Sequence, residues 1–371
     1  MQSDFIDSMT KVINASGRMT KLGVSVQSEY VQSMMKYASD HYFIMDELYK
    51  KAGEEIAKLL GAADCVVTSS ATSAISFTIA SLICKDSKKM VADLSIMRND
   101  ILRNNVILPK GHNINYGVPI HTVIELAGGK VVEAGSVNQV TKDDVRECIN
   151  ENTLALMYVK SHHCVQKNMV SLKDMIDLAN EFNIPILVDA AAEEDMHKYY
   201  DMGATFVTYS GSKALCGPSS GFVLCRSSEY ANNMRLQYYG IGRSMKIGKE
   251  NIFGLVAAVE EYISAKKSIN VTADDIKDFI QSANNIDGIT ATLVQDEAGR
   301  EIFRARLKFD PVSFGKSAGQ VNMELHQGNP AIFARDYLVN LGYLDFDPRP
   351  LTSKGDLDLI IKRITGIAEE I

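Results

Sequence analysis

Between Cys65 and Ser210 the chain alternates short, nearly unbroken apolar runs with amphipathic stretches. The apolar runs are "CVVT", "NVIL", "KVVEAG", "TLALMYVK", "IPILVDA" and "ATFVTYS". Between them lie a segment from Thr72 to Cys84, then "VPIHTVIELAG", "TKDDVRECIN" and "SLKDMIDLANEFN". Strands without a polar face must be covered on both sides. The pattern therefore predicts a mostly parallel sheet with helices on both faces. Two of the helices announce their starts: Thr141 precedes Asp144 by three residues, and Ser171 precedes Asp174 in the same way, as in a capping box. Upstream, "MDELYKKAGEEIAKLLG" places Leu48, Ala52, Ile56, Leu59 and Leu60 at helical spacing, with Gly61 as the stop.

The pattern changes after about Gly240. Helices follow, including "IFGLVAAVEEYISAKK", then the alternating segments "ITATLVQD" and "EIFRARLKF" and two more helices. This predicts a smaller α+β domain. The expected division is an N-terminal segment of residues 1–45, a large α/β domain of residues 46–245 and a small C-terminal domain of residues 246–371. A length of 371 residues agrees with roughly two domains.

Several classes of function are disfavoured. A net charge of -7 speaks against a general polyanion binder, so no nucleic-acid partner is expected. The 6 cysteines form no CxxC pair and no zinc-finger spacing, so they are expected to be reduced and buried, with no metal. The N-terminus lacks the apolar core of a signal peptide, and "TSSATSAISFTIASLIC" is too short and too rich in serine to span a membrane. A cytoplasmic protein without a membrane partner is expected.

Three features fall at predicted strand ends, where open α/β sheets bind ligands. "TSSATSA" offers hydroxyls and helix-start amides to an anion. Asp189 ends "IPILVDA". Lys213 lies in "TYSGSKALCGPSSG", among residues small enough to keep backbone close around its amine. Each is weak alone. Together, a helix-start anion site, an acid and a lysine after consecutive strands predict a pyridoxal 5'-phosphate site. The lysine would bond to the cofactor aldehyde and the acid would keep the pyridine nitrogen protonated.

The motifs then become specific. "VINASGRMTKLG", "VKSHHCVQKNMVSLKDMIDLANEFNIPILVDAAAE", "YSGSKALCGPSSGFVLC", "RSMKIGK" and "DPRPL" stand in collinear order along nearly the whole chain. They resemble the selenocysteine synthase-like branch of the fold-type I pyridoxal phosphate enzymes. The resemblance implies Lys213 as the Schiff-base lysine, Asp189 as the pyridinium partner and Ser210 at the cofactor phosphate. Ser70, Ala71 and Thr72 match the phosphate-side turn, although the family more often shows Asn and Ala there. His112 is expected to stack on the ring, with Tyr116 the alternative.

The resemblance extends to D-glucosaminate-6-phosphate ammonia-lyases. It implies elimination of water and ammonia from a small phosphorylated 2-amino-3-hydroxy acid. The family's tRNA enzymes carry an additional segment before the "INATG"-like motif, and only about a dozen residues precede it here; together with the acidic charge, this favours the lyase over transfer to seryl-tRNA. A non-catalytic, cofactor-binding regulator is a further alternative, although no appended DNA-binding segment is recognisable. The leaving hydroxyl needs a proton donor, and His162, His163 or Lys213 could serve. Cationic grips for carboxylate and phosphate are sought among Arg243, Lys246, Lys249, Arg349 and Arg18, with the arginines preferred for their bidentate geometry. Sites of this fold type are shared between subunits, so the resemblance also implies at least a homodimer.

Overall fold

The computed structural model describes residues 4–97, 100–264, 270–296 and 301–369. Among them are the strands β1 (Val12–Ala15), β2 (Asp64–Thr68), β3 (Asn105–Pro109), β4 (Lys130–Ala134), β5 (Thr153–Val159) and β6 (Ile186–Asp189). Next come β7 (Phe206–Ser210), β8 (Gly221–Cys225), β9 (Ile289–Gln295), β10 (Phe303–Phe309), β11 (Ala331–Ala334) and β12 (Tyr343–Phe346). The chain divides into two compact units, Gln27–Lys266 and the combination of Met1–Val26 with Lys267–Ile371.

The large unit is built on a seven-stranded sheet of order β2-β8-β7-β6-β5-β3-β4. β3 to β7 are mutually parallel, and only β8 runs against its neighbours β2 and β7. Every residue of β2, β6, β7 and β8 is buried, which is why these runs lack a polar face. The helix Ala71–Cys84 is apolar nearly all round because it is buried nearly all round. The expected signals hold in place. Gly61 ends the helix Met45–Leu60 at a φ of 69°, and Thr141 and Asp144 close a capping box. The fold is the mostly parallel, helix-covered α/β architecture expected from the sequence, with a small antiparallel sheet in addition.

Two domain boundaries differ from expectation. The first residues do not form a separate segment: β1 pairs in parallel with β11 inside the small unit. The helix Lys249–Ile263, expected to open the small domain, packs in the large unit on the helices Glu29–Ser39 and Met45–Leu60. Its buried face, Ile252, Leu255, Ala258 and Val259, joins the core beneath the sheet. The expected extension of this helix to 267 lies outside the described residues.

The small unit carries the antiparallel sheet β12-β10-β9. Arg304 is buried on β10 between Asp296 and Asp347, 3.0 Å from each. Burial alone would raise Asp347, but Arg349 and Arg304 outweigh it and hold the carboxyl below its usual range. Pairing on both sides is what makes so buried a charge tolerable.

Candidate active site

The carboxyl ends of β2, β3, β5, β6 and β7 lie along one edge of the large sheet. β8 begins on that edge, with Gly221 paired to both Thr68 and Ser210. This alignment gathers residues far apart in sequence.

Asp189 ends β6 and is only 7% exposed. Its Oδ1 accepts from the Ala191 N–H at 3.1 Å and the Thr208 hydroxyl at 3.3 Å. Among the described residues, no hydrogen bond goes to Oδ2. Burial raises the carboxyl above its ordinary value, against the opposing pull of the Lys213 ammonium, the Ala191 N–H and the Thr208 hydroxyl. A buried anion that is under-compensated, with one oxygen open, fits a cationic ring N–H.

Lys213 lies half-buried in the turn after β7, close enough to Asp189 for their charges to interact. The small neighbours have a specific reason. The loop folds back on itself through Gly211 N–H to Ser220 O at 2.9 Å and Gly217 N–H to Gly211 O at 2.8 Å. A Cβ at Gly211 would sit 2.1 Å from Ser220 Oγ, and one at Gly221 would sit 2.3 Å from the Ser70 carbonyl carbon. Only glycine lets the lysine loop close on itself and lets β8 start against the serine turn.

That turn opens the helix Ala71–Cys84. Ser70 is its N-cap: Ser70 Oγ accepts from the Ser73 N–H at 3.0 Å, and the Ser73 hydroxyl accepts from the Ser70 N–H at 2.9 Å. A helix start leaves four N–H groups without intrahelical partners. With those of Ser70 and Ser73 satisfied by the capping box, the N–H groups of Ala71 and Thr72 are left for a phosphate. Ser210, buried at the end of β7, has its Oγ 3.2 Å from Ser212 Oγ. The turn, Ser210, Lys213 and Asp189 thus fit pyridoxal phosphate.

Of the two ring candidates, Tyr116 stands beside both ends of the cofactor site. Its hydroxyl is 3.4 Å from Thr72 Oγ1, and its pKa is pushed up to about 12 by burial and by the charge of Asp189. His112 is 2% exposed and packs edge-on to Tyr158, with ring centroids 4.5 Å apart. Its Nδ1 accepts from the Val159 N–H at 3.3 Å, which places its proton on Nε2. Ring stacking therefore passes to Tyr116 in our assignment.

Burial, with a smaller contribution from the Lys160 charge, lowers His112 from 6.5 to about 4. A folded value below the unfolded one means that unfolding takes up a proton between these values. The contribution is complete above about pH 6.5 and is lost as pH falls through about 4. It amounts to something on the order of 3 kcal/mol. In urea titrations between pH 4 and 7, His112→Gln should flatten the acid-side loss of stability. An unchanged slope would contradict this role of burial.

The remaining predicted residues separate. His162 and His163 follow β5, their ring centroids 4.0 Å apart, with His163 exposed. Arg243 and Lys246 are exposed on and beside the turn Ile241–Met245. Lys249 is drawn elsewhere: its amine donates to the Ala38 carbonyl at the end of Glu29–Ser39 and pairs with Glu250 at 2.8 Å. That makes it a helix anchor rather than a substrate grip. Arg18 and Arg349 belong to the small unit. Gly17 lies against Asp347 and Arg349 there, so both arginines come to one place, and Arg349 donates from Nε and Nη2 to Asp347 at 2.9 and 2.8 Å. Sequence reasoning missed Thr208, the partner of Asp189, whose buried hydroxyl had no local signal.

The fold is that of the fold-type I pyridoxal phosphate enzymes, and the strand-edge constellation fits such a cofactor. Residues 12–285 match the family described as SelA, L-seryl-tRNA selenium transferase. The chain belongs to this family. It is 40% identical to D-glucosaminate-6-phosphate ammonia lyase of Salmonella typhimurium (strain 14028s / SGSC 2262), covering 97% of this chain and 96% of that one. It is 33% identical to 5'-C-glycyluridine monooxygenase-decarboxylase of a Streptomyces species, covering 95% and 88%. A solved structure of D-glucosaminate-6-phosphate ammonia-lyase superposes with a TM-score of 0.91 at 38% identity, over 100% of this chain and 99% of that one. Among the described residues, no helix is long and apolar enough to cross a membrane.

Proposed function

We propose that this chain is a pyridoxal phosphate-dependent ammonia-lyase whose substrate is a phosphorylated 2-amino-3-hydroxy acid, D-glucosaminate 6-phosphate. The observation that carries the reading is 40% identity to an ammonia lyase over 97% of this chain and 96% of that one. Bound at the strand edge, pyridoxal phosphate would supply an electron-accepting ring for negative charge at the substrate α-carbon. Asp189, its Oδ1 fixed by Thr208 and Ala191, would keep the ring nitrogen protonated. Ala71, Thr72 and Ser210 would hold the phosphate of the cofactor, and Tyr116 would cover its ring. Lys213 would hold the cofactor through its aldehyde and would carry the α-proton on its amine. His162 donates a proton to the departing 3-hydroxyl. Loss of water across C2–C3 and hydrolysis of the released enamine give a 2-keto-3-deoxy acid and ammonia, with no net change in water.

Lys249 and Arg349 are engaged with protein partners, so Arg243, supported by Lys246, is the preferred grip for the substrate phosphate. Losing a charge-assisted contact costs roughly 10- to 150-fold in an equilibrium. The unphosphorylated analogue should therefore show kcat/KM lower by about that factor. Arg243→Ala should remove most of the difference. Equal kcat/KM for both compounds in the unaltered protein would refute the phosphate preference. Selenium transfer to seryl-tRNA is the second reading, favoured by the family match. A net charge of -7 argues against it, because tRNA binding is driven largely by phosphate neutralisation. At least a homodimer, located in the cytoplasm, completes the proposal.

A further inference from the structure

Assigning Arg243 to the phosphate leaves the substrate carboxylate without a partner. That carboxylate is attached to the reacting carbon, so its grip must lie next to the cofactor rather than at the distal end of the substrate. One cleft opens at the same strand edge as Asp189. It has a volume of about 110 Å³ and lies at the carboxyl ends of β3 and β5. Val159 of β5 is in register with Asp189, and the Lys160 N–H donates to the Asp189 carbonyl at 2.8 Å.

The lining is chemically one-sided. Lys160, His112, Ser161 and Gln166 contribute polar groups, and no carboxylate lines the cleft. Lys110, just after β3, is paired with Glu133 at 2.9 Å. Among the described residues, Lys160 makes no ion pair. His112 spends Nδ1 on the Val159 N–H, which leaves its Nε2–H as a donor from a nearly fully buried ring. The wall is fixed beforehand. Gln166 Nε2 donates to the Ser161 and Cys164 carbonyls at 2.9 and 2.7 Å, closing the loop after β5. An ammonium and a neutral imidazole N–H on a cleft without acids suit an oxyanion, and the space accommodates a carboxylate in place of a few waters, each about 30 Å³.

We propose that this cleft is the subsite for the substrate carboxylate, with Lys160 as its cation and the His112 Nε2–H as its second donor. The identity of the ligand rests on the ammonia-lyase reading, whereas the existence of an oxyanion site does not.

The test uses the full chain loaded with pyridoxal phosphate. Calorimetry with acetate measures anion binding, and steady-state assays compare phosphorylated and unphosphorylated substrates. Lys160→Met should abolish acetate binding and raise KM on both substrates by the same factor, roughly 10- to 150-fold. The visible absorbance and the dissociation constant of the cofactor should not change. Lys160→Arg, which keeps the charge, should restore acetate binding. Unchanged KM and acetate binding in Lys160→Met would overturn the proposal, and so would failure of the unaltered protein to bind acetate. A KM penalty confined to the phosphorylated substrate, or loss of the cofactor from the variant, would also overturn it. Lysine-dependent acetate binding in a protein that releases no ammonia would leave the subsite standing and remove the lyase reading instead.

Discussion

Lys213→Ala should leave a folded protein that holds pyridoxal phosphate only non-covalently and turns over at least about 10²- to 10⁴-fold more slowly, the range that a proton-transfer group alone commands. The fold should tolerate the change. Lys213 is half-buried in a turn, and the backbone bonds of Gly211, Gly217 and Ser220 hold the loop. The direct readout is chemical. Borohydride should fix the cofactor on the peptide containing Lys213 in the unaltered protein and fix none in the variant. Retention of both the fixed cofactor and turnover by Lys213→Ala would transfer the role to another amine. Lys160, at the end of β5 beside Asp189, would be the first to examine.

Asp189→Asn should separate cofactor binding from catalysis. The side-chain amide oxygen can still accept from Ala191 and Thr208, so the shape of the site survives. What disappears is the negative charge that favours a protonated ring nitrogen. That charge matters most when electron density develops on the ring, so kcat should fall by roughly 10²- to 10³-fold while cofactor affinity changes much less. Stability should move the other way. Burial holds the Asp189 carboxyl above its ordinary value, so its ionised form is a cost to the folded apo-protein. Asp189→Asn apo-protein should therefore unfold no earlier on heating than the unaltered apo-protein. An unchanged kcat, or a loss of cofactor as large as the loss of rate, would contradict the assignment.

What was legible in the sequence followed from buried, regular elements. Strands covered on both faces must be written as apolar runs, so β2 to β7 could be read directly, together with the edge at which Asp189, Ser70 and Lys213 meet. The small residues around Lys213 were legible as a requirement for close approach. Their main use, however, is to let the loop meet its own backbone and to let Gly221 pass the Ser70 turn. The domain boundaries were less legible. The β1–β11 pair joins the two ends of the chain, and no local pattern announces a partner that distant. The same limit hid the partners of the charged residues. Lys249 reads as a member of a basic cluster until the end of the helix Glu29–Ser39 is seen to receive its amine. His112 and Tyr116 differ by four positions in one loop, and only the fold shows that the histidine turns toward Val159 while the tyrosine stands beside Thr72. Lys160 drew no attention because its distinguishing property is negative: among the described residues, it makes no ion pair.

The central claim is that this site removes water and ammonia from a phosphorylated amino acid. The most direct measurement incubates the purified chain, loaded with pyridoxal phosphate, with D-glucosaminate 6-phosphate and follows ammonia and 2-keto acid together. Equal molar release of both, dependent on Lys213, is the expected result. Absence of ammonia from a protein that carries its cofactor on Lys213, with efficient transfer of selenium to seryl-tRNA instead, would contradict it.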